Sequence, residues 1–319
     1  MDIDNVDRKL LQALDINPKA TLRQVAKYAR ITKETAQYRV KMLKSKGIIA
    51  KHRVLVNYRK LGLNKNILLI KYKELDNELE REIISFLEAD MCVTWLSTCE
   101  GSYNLTMTVT YSNIDEFTDF YRKFFAKFGK YFLERVLLQL VEDHIFNSKM
   151  IFLGKPIIQE TVLQPRTTYD TFDDIDKSLI LTLSEDSDSS YSALCVKFDL
   201  TPEAIRKRVS RLFEKGVFVG YYSGIQLWKL GFETFEIWVS VSDLSKIASM
   251  LRYYIGHKDC SYLTFYTGKY DLALEFQVKS TKELRLILLD LRSKFGAIIS
   301  DYCFLNVTKE YIFTGVRNL

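Results

Sequence analysis

The sequence predicts an α+β protein: two tandem copies of a winged helix-turn-helix domain, each followed by a ferredoxin-like β-α-β-β-α-β domain. Three observations carry this reading. First, the 319-residue chain repeats itself: Asp4-Asn5-Val6-Asp7-Arg8-Lys9-Leu10-Leu11 is echoed by Asp173-Asp174-Ile175-Asp176-Lys177-Ser178-Leu179-Ile180 at an offset of 169, without a gap as far as Leu61-Gly62 and Leu230-Gly231. A second stretch matches at an offset of 167, with Gly101-Ser102-Tyr103-Asn104-Leu105 against Gly268-Lys269-Tyr270-Asp271-Leu272 and Phe128-Gly129 against Phe295-Gly296. Solenoid and propeller repeats run to roughly 20–50 residues, so this is a duplicated two-domain unit. Second, within each repeat the apolar period changes from helical to alternating. Third, the net charge of +6 is unevenly spread: residues 1–64 hold 15 Lys/Arg against 5 Asp/Glu, a balance of +10, and residues 170–231 hold 8 against 10, a balance of −2. All of the positive excess lies in one copy of one module, the footprint expected for contact with a polyanion.

The spacing defines domains at 1–62, 63–153, 172–231 and 232–319, with a linker over 154–171 that carries Pro156 and Pro165. In the first domain Val6, Leu10, Leu11 and Leu14 recur at helical spacing. Asp4 or Asp7 can cap that helix, and Asn17-Pro18 ends it. Thr21 is a suitable N-cap for a second short helix with Leu22, Val25 and Ala26 turned inward. After a tight turn at Ala29-Arg30-Ile31, Thr32 caps a third helix that Gly47 stops, with Ala36, Val40 and Leu43 as its buried stripe. Ile48 to Val56 alternates weakly, as a small β-hairpin or wing does. In this motif the third helix enters the major groove of double-stranded DNA, leading with its N-terminal residues. Its outward positions are Lys33, Glu34, Gln37, Tyr38 and Lys41. Gln pairs with adenine, Lys reaches guanine or phosphate, and Thr32 with the helix N-terminus can hold a phosphate. Arg39, Lys44, Lys46, Lys51 and Arg53 are expected along the flanking backbone. In the second copy Thr201-Pro202-Glu203 opens the equivalent helix and Arg206, Lys207 and Arg211 face outward. Asp170, Asp173, Asp174, Asp176, Glu185, Asp186 and Asp188 surround it, so little DNA affinity is expected there.

In the second domain a strand over Ile67–Tyr72 precedes a helix over Glu78–Leu87, strands over Cys92–Cys99 and Tyr103–Tyr111, a helix over Ile114–Phe128 and a strand over Phe132–Phe146. The other repeat follows suit over Phe235–Val241, Leu244–Ile255, Ser261–Thr267, Tyr270–Val278, Thr281–Phe295 and Ile298–Val307. This order is the split βαβ arrangement, whose helices cover only one face of the sheet. The uncovered faces of the two copies are expected to pack on each other, making an intrachain pseudodimer.

No stretch approaches the ~20 apolar residues of a membrane span, and the acidic start Met1-Asp2-Ile3-Asp4 lacks a signal-peptide layout. Five scattered cysteines without a C-x-x-C pair read as reduced thiols, so a cytoplasmic protein is expected. His52, His144 and His257 lie far apart, and no cofactor or metal site is expected.

These residues carry a resemblance. The spacing Asp4-x-x-Asp7-x-x-Leu10-Leu11-x-x-Leu14, the run Ile31-Thr32-x-x-Thr35-x-x-Tyr38-Arg39-Val40-x-x-Leu43-x-x-x-Gly47-Ile48 and the turn Gly101-x-Tyr103-Asn104-Leu105 resemble those of the Lrp/AsnC family of transcription regulators, over nearly the whole length and twice. The resemblance implies a DNA-binding domain joined to an oligomerising, effector-binding RAM domain, with small ligands such as amino acids held between paired RAM domains near the turn. Residue by residue this points to Gly268, Lys269, Tyr270 and Asp271, and to Gly101, Ser102, Tyr103 and Asn104. Asn104 stands where the family has an acid, removing a carboxylate that could pair with an amino group. A single DNA-reading head per chain implies a homo-oligomer on a two-fold operator. The chain is also similar in architecture to siroheme decarboxylases, for which His144, His257, Arg135, Arg252 and Arg285 are the available residue types. Their spacing forms no site, and a non-enzymatic protein is expected. An effector-free architectural or partner-binding protein is the third reading.

Overall fold

A computed structural model describes residues 3–152, 158–163 and 171–319. The first head contains α1 (Asn5–Ile16), α2 (Leu22–Ala29) and α3 (Lys33–Ser45). Of the two candidate caps for α1 it is Asp4 that accepts from the Asp7 amide, at 2.7 Å. Thr21 and Gln24 form a reciprocal capping box on α2. Thr32 caps α3, and Gly47 leaves it with φ +68°. Next come β1 (Arg53–Val56), β2 (Asn64–Tyr72), α4 (Asn77–Ala89), β3 (Val93–Gly101), β4 (Leu105–Tyr111), α5 (Ile114–Phe128) and β5 (Phe132–Phe146). A short strand β6 (Glu160–Val162) lies inside the expected linker and pairs with β5, while Pro156 and Pro165 fall outside the described residues. The second copy holds α6 (Asp174–Glu185), α7 (Tyr191–Phe198), α8 (Pro202–Glu214), β7 (Phe218–Tyr222), β8 (Glu233–Val241), α9 (Ile247–Ile255), β9 (Cys260–Thr267), β10 (Leu272–Val278), α10 (Thr281–Phe295) and β11 (Ile299–Phe313).

The two ferredoxin-like sheets are joined edge to edge. The strand order β2-β4-β3-β11-β8-β10-β9-β5 closes on itself through β2–β5 pairing. The closure depends on two long strands. β5 pairs with β2 of its own module over Phe132–Gln139 and with β9 of the other over Gln139–Ile145. β11 pairs with β8 over Ile299–Val307 and with β3 over Leu305–Phe313. Closure removes the exposed sheet edges that would otherwise invite aggregation. Leu68, Ile70, Leu96, Leu105, Met107 and Val109 pack outward beneath α4 and α5, and Ile237, Val239, Leu272, Leu274 and Phe276 do so beneath α9 and α10. The alternate residues point into the ring, among them Ile67, Leu69, Val136, Leu138, Trp238, Tyr266 and Leu305.

The inward polar residues differ between the halves. The first half contributes hydroxyl pairs, Ser97 with Thr106 and Thr94 with Thr110, each at 2.7 Å. The second contributes Glu236, Glu275 and Glu310, with the Trp238 and Trp95 indole N–H groups donating to Glu236 and Glu310 at 3.0 and 2.8 Å. Burial pushes the Glu236 carboxyl up to about 8 and that of Glu310 up to about 7, and the neighbouring Glu275 adds repulsion to both.

The expected wing hairpin does not form. β1 pairs antiparallel with β7 of the other copy, Arg53 opposite Tyr222 and Val56 opposite Phe218. The heads are thereby exchanged across the repeat. Ile225 and Leu230 complete the core of the first head, with Leu10, Leu11, Val25 and Leu43. Val54, Val56 and Tyr58 complete that of the second, with Leu179, Ile180, Ile205 and Leu212. The segments after β5 and β11 strap this arrangement down. Lys149 donates to Ile255 O at the end of α9, and Arg317 donates to the Glu88 and Asp90 carbonyls at the end of α4 and to the Val93 carbonyl at the start of β3. Each strap thus places a cation on the negative end of a helix of the opposite module.

Candidate nucleic-acid interface and effector turns

In the first head the turn between α2 and α3 is set by Arg30, which adopts φ +57°, so that the Ile31 amide reaches Ala26 O at 3.1 Å. Asp199 repeats the turn at φ +51°, with the Leu200 amide on Cys195 O at 3.2 Å. A non-glycine residue in the left-handed region is uncommon, so its recurrence marks a conserved geometry between the copies. On α3, Lys33, Glu34, Gln37, Tyr38 and Lys41 are exposed, Tyr38 to 66%. Neither Lys33 nor Lys41 has an ion-pair partner among the described residues. Thr32 is exposed, and its hydroxyl accepts from the Thr35 amide at 3.2 Å.

Three residues expected along the DNA backbone have partners within the chain. Arg39 turns back to α1, donating to Asp4 at 2.7 Å and Asp7 at 2.9 Å. Those carboxylates raise its already high pKa, Asp7 contributing first. The same clasp recurs 169 residues on, where Arg208 donates to Asp173 at 2.8 Å and Asp176 at 2.7 Å. Arg39 is therefore an internal tie of the helix-turn-helix. Lys51 lies 3.0 Å from Asp186 of the second head. Arg53, on β1, lies over the Phe313 ring at 5.4 Å. With β1 paired to β7, the wing joins the two heads. In the second head Arg206 and Lys207 are exposed as expected, and Arg206 pairs with Glu203 at 3.0 Å. Arg211 is exposed as expected, and its guanidinium also bonds to the buried Asp176.

Sequence reasoning passed over the outer face of α2. Arg23, Gln24, Lys27 and Arg30 are all exposed, and at the offset of 169 they become Ser192, Ala193, Val196 and Asp199. Three cations thus become a hydroxyl, an isopropyl group and a carboxylate, and Val196 is 86% exposed. The signal was available in the spacing 23, 27 and 30, which is one helical face.

The two Gly-x-Tyr turns meet inside the ring. The Tyr103 and Tyr270 hydroxyls lie 3.2 Å apart, and Lys269 donates to Tyr103 at 3.0 Å and to Glu134 at 2.6 Å. Hydrogen bonds from Lys269, with its charge, hold the Glu134 carboxyl below its ordinary range. Gly101 and Gly268 adopt φ +130° and +139°. A Cβ at Gly101 would come within 2.6 Å of Phe304 O, whereas at Gly268 it would meet the end of the Leu138 side chain at 2.6 Å. The exchange of acid for amide at Asn104 has no structural consequence. Asn104 accepts from the Tyr72 amide at 3.1 Å and Asp271 from the Val241 amide at 2.8 Å, so both side chains serve the backbone in the same way. Ser102 is half-buried beside them.

The residue types expected of a tetrapyrrole enzyme are scattered. His144 sits between Glu142 and Glu160 where β5 meets β6, and His257 is edge-on to Phe276 near α9. Arg135 lies over Phe125 at 4.7 Å on the outer face of β5, while Arg252 and Arg285 are exposed on α9 and α10. No group of three or more His, Cys, Asp or Glu placed to hold a metal ion occurs among the described residues, and no helix among them is long and apolar enough to cross a membrane.

Comparison with known proteins agrees with this geometry. Residues 3–50 match a family model described as winged helix-turn-helix DNA-binding. An HTH-type transcriptional regulator of Pyrococcus horikoshii is 31% identical over 115 residues, covering 36% of this chain and 77% of the relative. One from Pyrococcus abyssi is 30% identical over 115 residues with the same coverage, 36% and 77%. Among solved structures, the siroheme decarboxylase NirDL superposes over 99% of this chain and 94% of its own with a TM-score of 0.64 at 17% identity, a likeness of fold in the same tandem arrangement. A DNA-binding winged helix-turn-helix, a RAM-type sheet domain and regulator relatives together place this chain in the Lrp/AsnC family of transcriptional regulators.

Proposed function

We propose that this chain is a sequence-specific regulator that contacts DNA mainly through its first head. Lys33, Glu34, Gln37, Tyr38 and Lys41 read the major groove from α3, with Thr32 at the helix start. Arg23, Lys27 and Arg30 of α2 hold the phosphates on the side where the first helix of this motif crosses the backbone. The second head serves as a structural partner. The observation that carries this reading is the loss of all three α2 cations at Ser192, Val196 and Asp199 on an otherwise matching turn. Phosphate contact supplies most of the affinity and its salt dependence, so a head without those cations contributes little. One reading head per chain calls for two chains on a two-fold operator. The RAM turns at Gly101–Asn104 and Gly268–Asp271 are offered as an effector-responsive junction, an amino acid being the ligand class that the family suggests.

The test is a salt titration of binding to genomic DNA fragments. A steep linear fall of log affinity with log salt is expected, unchanged in Arg206→Ala. Absence of binding at low salt, or an equal loss in Arg206→Ala and Lys33→Ala, sinks the asymmetric reading. Likeness of fold to NirDL supports no enzymatic reading by itself, since His144, His257, Arg135, Arg252 and Arg285 share no site.

A further inference from the structure

Between α10 and the outer faces of β8 and β11 runs an open groove of about 450 Å³. Its floor is apolar, with Phe235, Leu284, Leu289 and Phe304, and the guanidinium groups of Arg285 and Arg292 border it. Leu289 and Phe304 are 47% and 41% exposed. Among the described residues, no carboxylate lines the groove. The nearby acids on α10 are engaged elsewhere: Asp290 accepts from the Tyr253 hydroxyl at 2.7 Å, and Glu283 from the Lys279 amide at 2.7 Å.

The first module supplies an internal comparison at the offset of 167. There Arg135 of β5 lies over Phe125 of α5, 4.7 Å from the ring centroid. In the second module the two types trade places, and Arg292 of α10 lies over Tyr302 of β11 at 5.3 Å. That cation–aromatic pair accounts for Arg292 as packing common to both modules. Nothing comparable accounts for Arg285, which stands where α5 has Thr118 and has no hydrogen-bond or ion-pair partner among the described residues. Leu289 replaces Arg122, and Phe304 replaces Leu137. The second module therefore carries its uncommitted cation one helical turn earlier, at Arg285 where the first has Arg122 in the place of Leu289, and beside it a wider apolar floor.

We propose that this groove binds a small organic anion with an apolar body, its acid group held by Arg285 with Arg292 beside it. Volume, an apolar lining and a few fixed polar groups are the attributes of a small-molecule site, and a guanidinium matches a carboxylate in geometry as well as charge. The proposal is independent of which head contacts DNA, so DNA binding without ligand serves as a folding and activity control.

The probes are octanoate, octylammonium and octanol, measured by isothermal titration calorimetry on the full chain. Octanoate is expected to bind one per chain and at least about tenfold more tightly than octylammonium, with octanol between them. Arg285→Gln, at an exposed position, should weaken octanoate about tenfold and remove the preference for the anion, while leaving thermal stability and DNA affinity unchanged. Leu289→Asp should abolish binding of all three probes. Equal affinity for both signs of charge, or full octanoate affinity in Arg285→Gln, overturns the proposal. So does a wild type that binds no probe but self-associates in sedimentation velocity and is rendered monomeric by Leu289→Asp, since the groove would then be filled by a second copy.

Discussion

The two heads share a skeleton and differ in what they present. Both close the turn before the third helix with a left-handed residue, Arg30 or Asp199. Both tie the third helix to the first by an Arg clasped between two Asp, and both borrow the other's wing residues to complete a core. On the reading proposed above, the scaffold of a helix-turn-helix is separable from its affinity for DNA, the first residing in caps, clasps and apolar spacing and the second in a few outward cations.

The largest way to break this comparison is to give the first head the surface of the second. Arg23→Ser, Lys27→Val and Arg30→Asp combined should lower DNA affinity by about 10²- to 10³-fold at moderate salt and reduce the salt slope by roughly three phosphate contacts. A fluorescence-anisotropy titration reads both, and a loss below about threefold would remove α2 from the interface. Next is the clasp. Arg208→Ala strips a partner from Asp176, which is 1% exposed and among the described residues keeps Arg211, and should cost about 2 kcal/mol. Arg39→Ala leaves Asp4 and Asp7, 53% and 21% exposed, to water and should cost about 1 kcal/mol or less. Denaturant unfolding compares the two, and the reverse ranking would show that the clasps are not equivalent in kind.

Within the reading helix, Lys33→Ala and Gln37→Ala should each cost about 1–2 kcal/mol on a cognate site and relax its sequence preference. Arg206→Ala should change affinity less than about twofold. The smallest effect contrasts the two halves of the ring. Glu236 is held near 8 by burial and by Glu275, above an ordinary value of 4.5. A raised carboxyl binds its proton more tightly in the folded state, so its contribution to stability is complete below the ordinary value and is lost as pH rises from there to about 8. Thermal unfolding at pH 5.5 and 8.5 should show a Tm lower by a few degrees at the higher pH, and Glu236→Gln should shrink that difference. An undiminished pH effect in Glu236→Gln would assign it to Glu275 or Glu310. Removing one hydroxyl of the first half, as in Thr106→Val, should leave the pH dependence intact.

Much of this was readable in the sequence where the determinants are local. Asp4, Thr21 and Thr32 cap as expected, and α5, α10 and β5 span the residues that their apolar periods indicated. The wing pairs with a strand that local reading does not reach, because its partner is remote. Alternation over Ile48–Val56 announces a strand but not what it pairs with, and the answer lies at Phe218–Tyr222. A basic residue near a recognition helix reads as outward until its acid or aromatic partner is placed beside it, as for Arg39 and Arg53, whereas Lys51 stays largely exposed beside Asp186. For Arg39 the clue was present: Asp4, Asp7 and Arg39 recur intact as Asp173, Asp176 and Arg208 in a head that had lost its positive excess. A triad retained where the α2 cations were not serves the fold. Closure of the sheets into one ring was beyond local reasoning too, since it depends on β5 and β11 each running long enough to change partners midway.

The exchange of wings between the copies also changes how the molecule answers to dilution. A regulator assembled from separate identical subunits loses its paired form as its concentration falls, and each subunit must stay compatible with its own image. Here β1 and β7 belong to one polypeptide, so their encounter is intramolecular and the pairing persists at any concentration. Mutations in one copy are never forced upon the other. That covalent tether lets Arg23, Lys27 and Arg30 stand in one head opposite Ser192, Val196 and Asp199 in its twin.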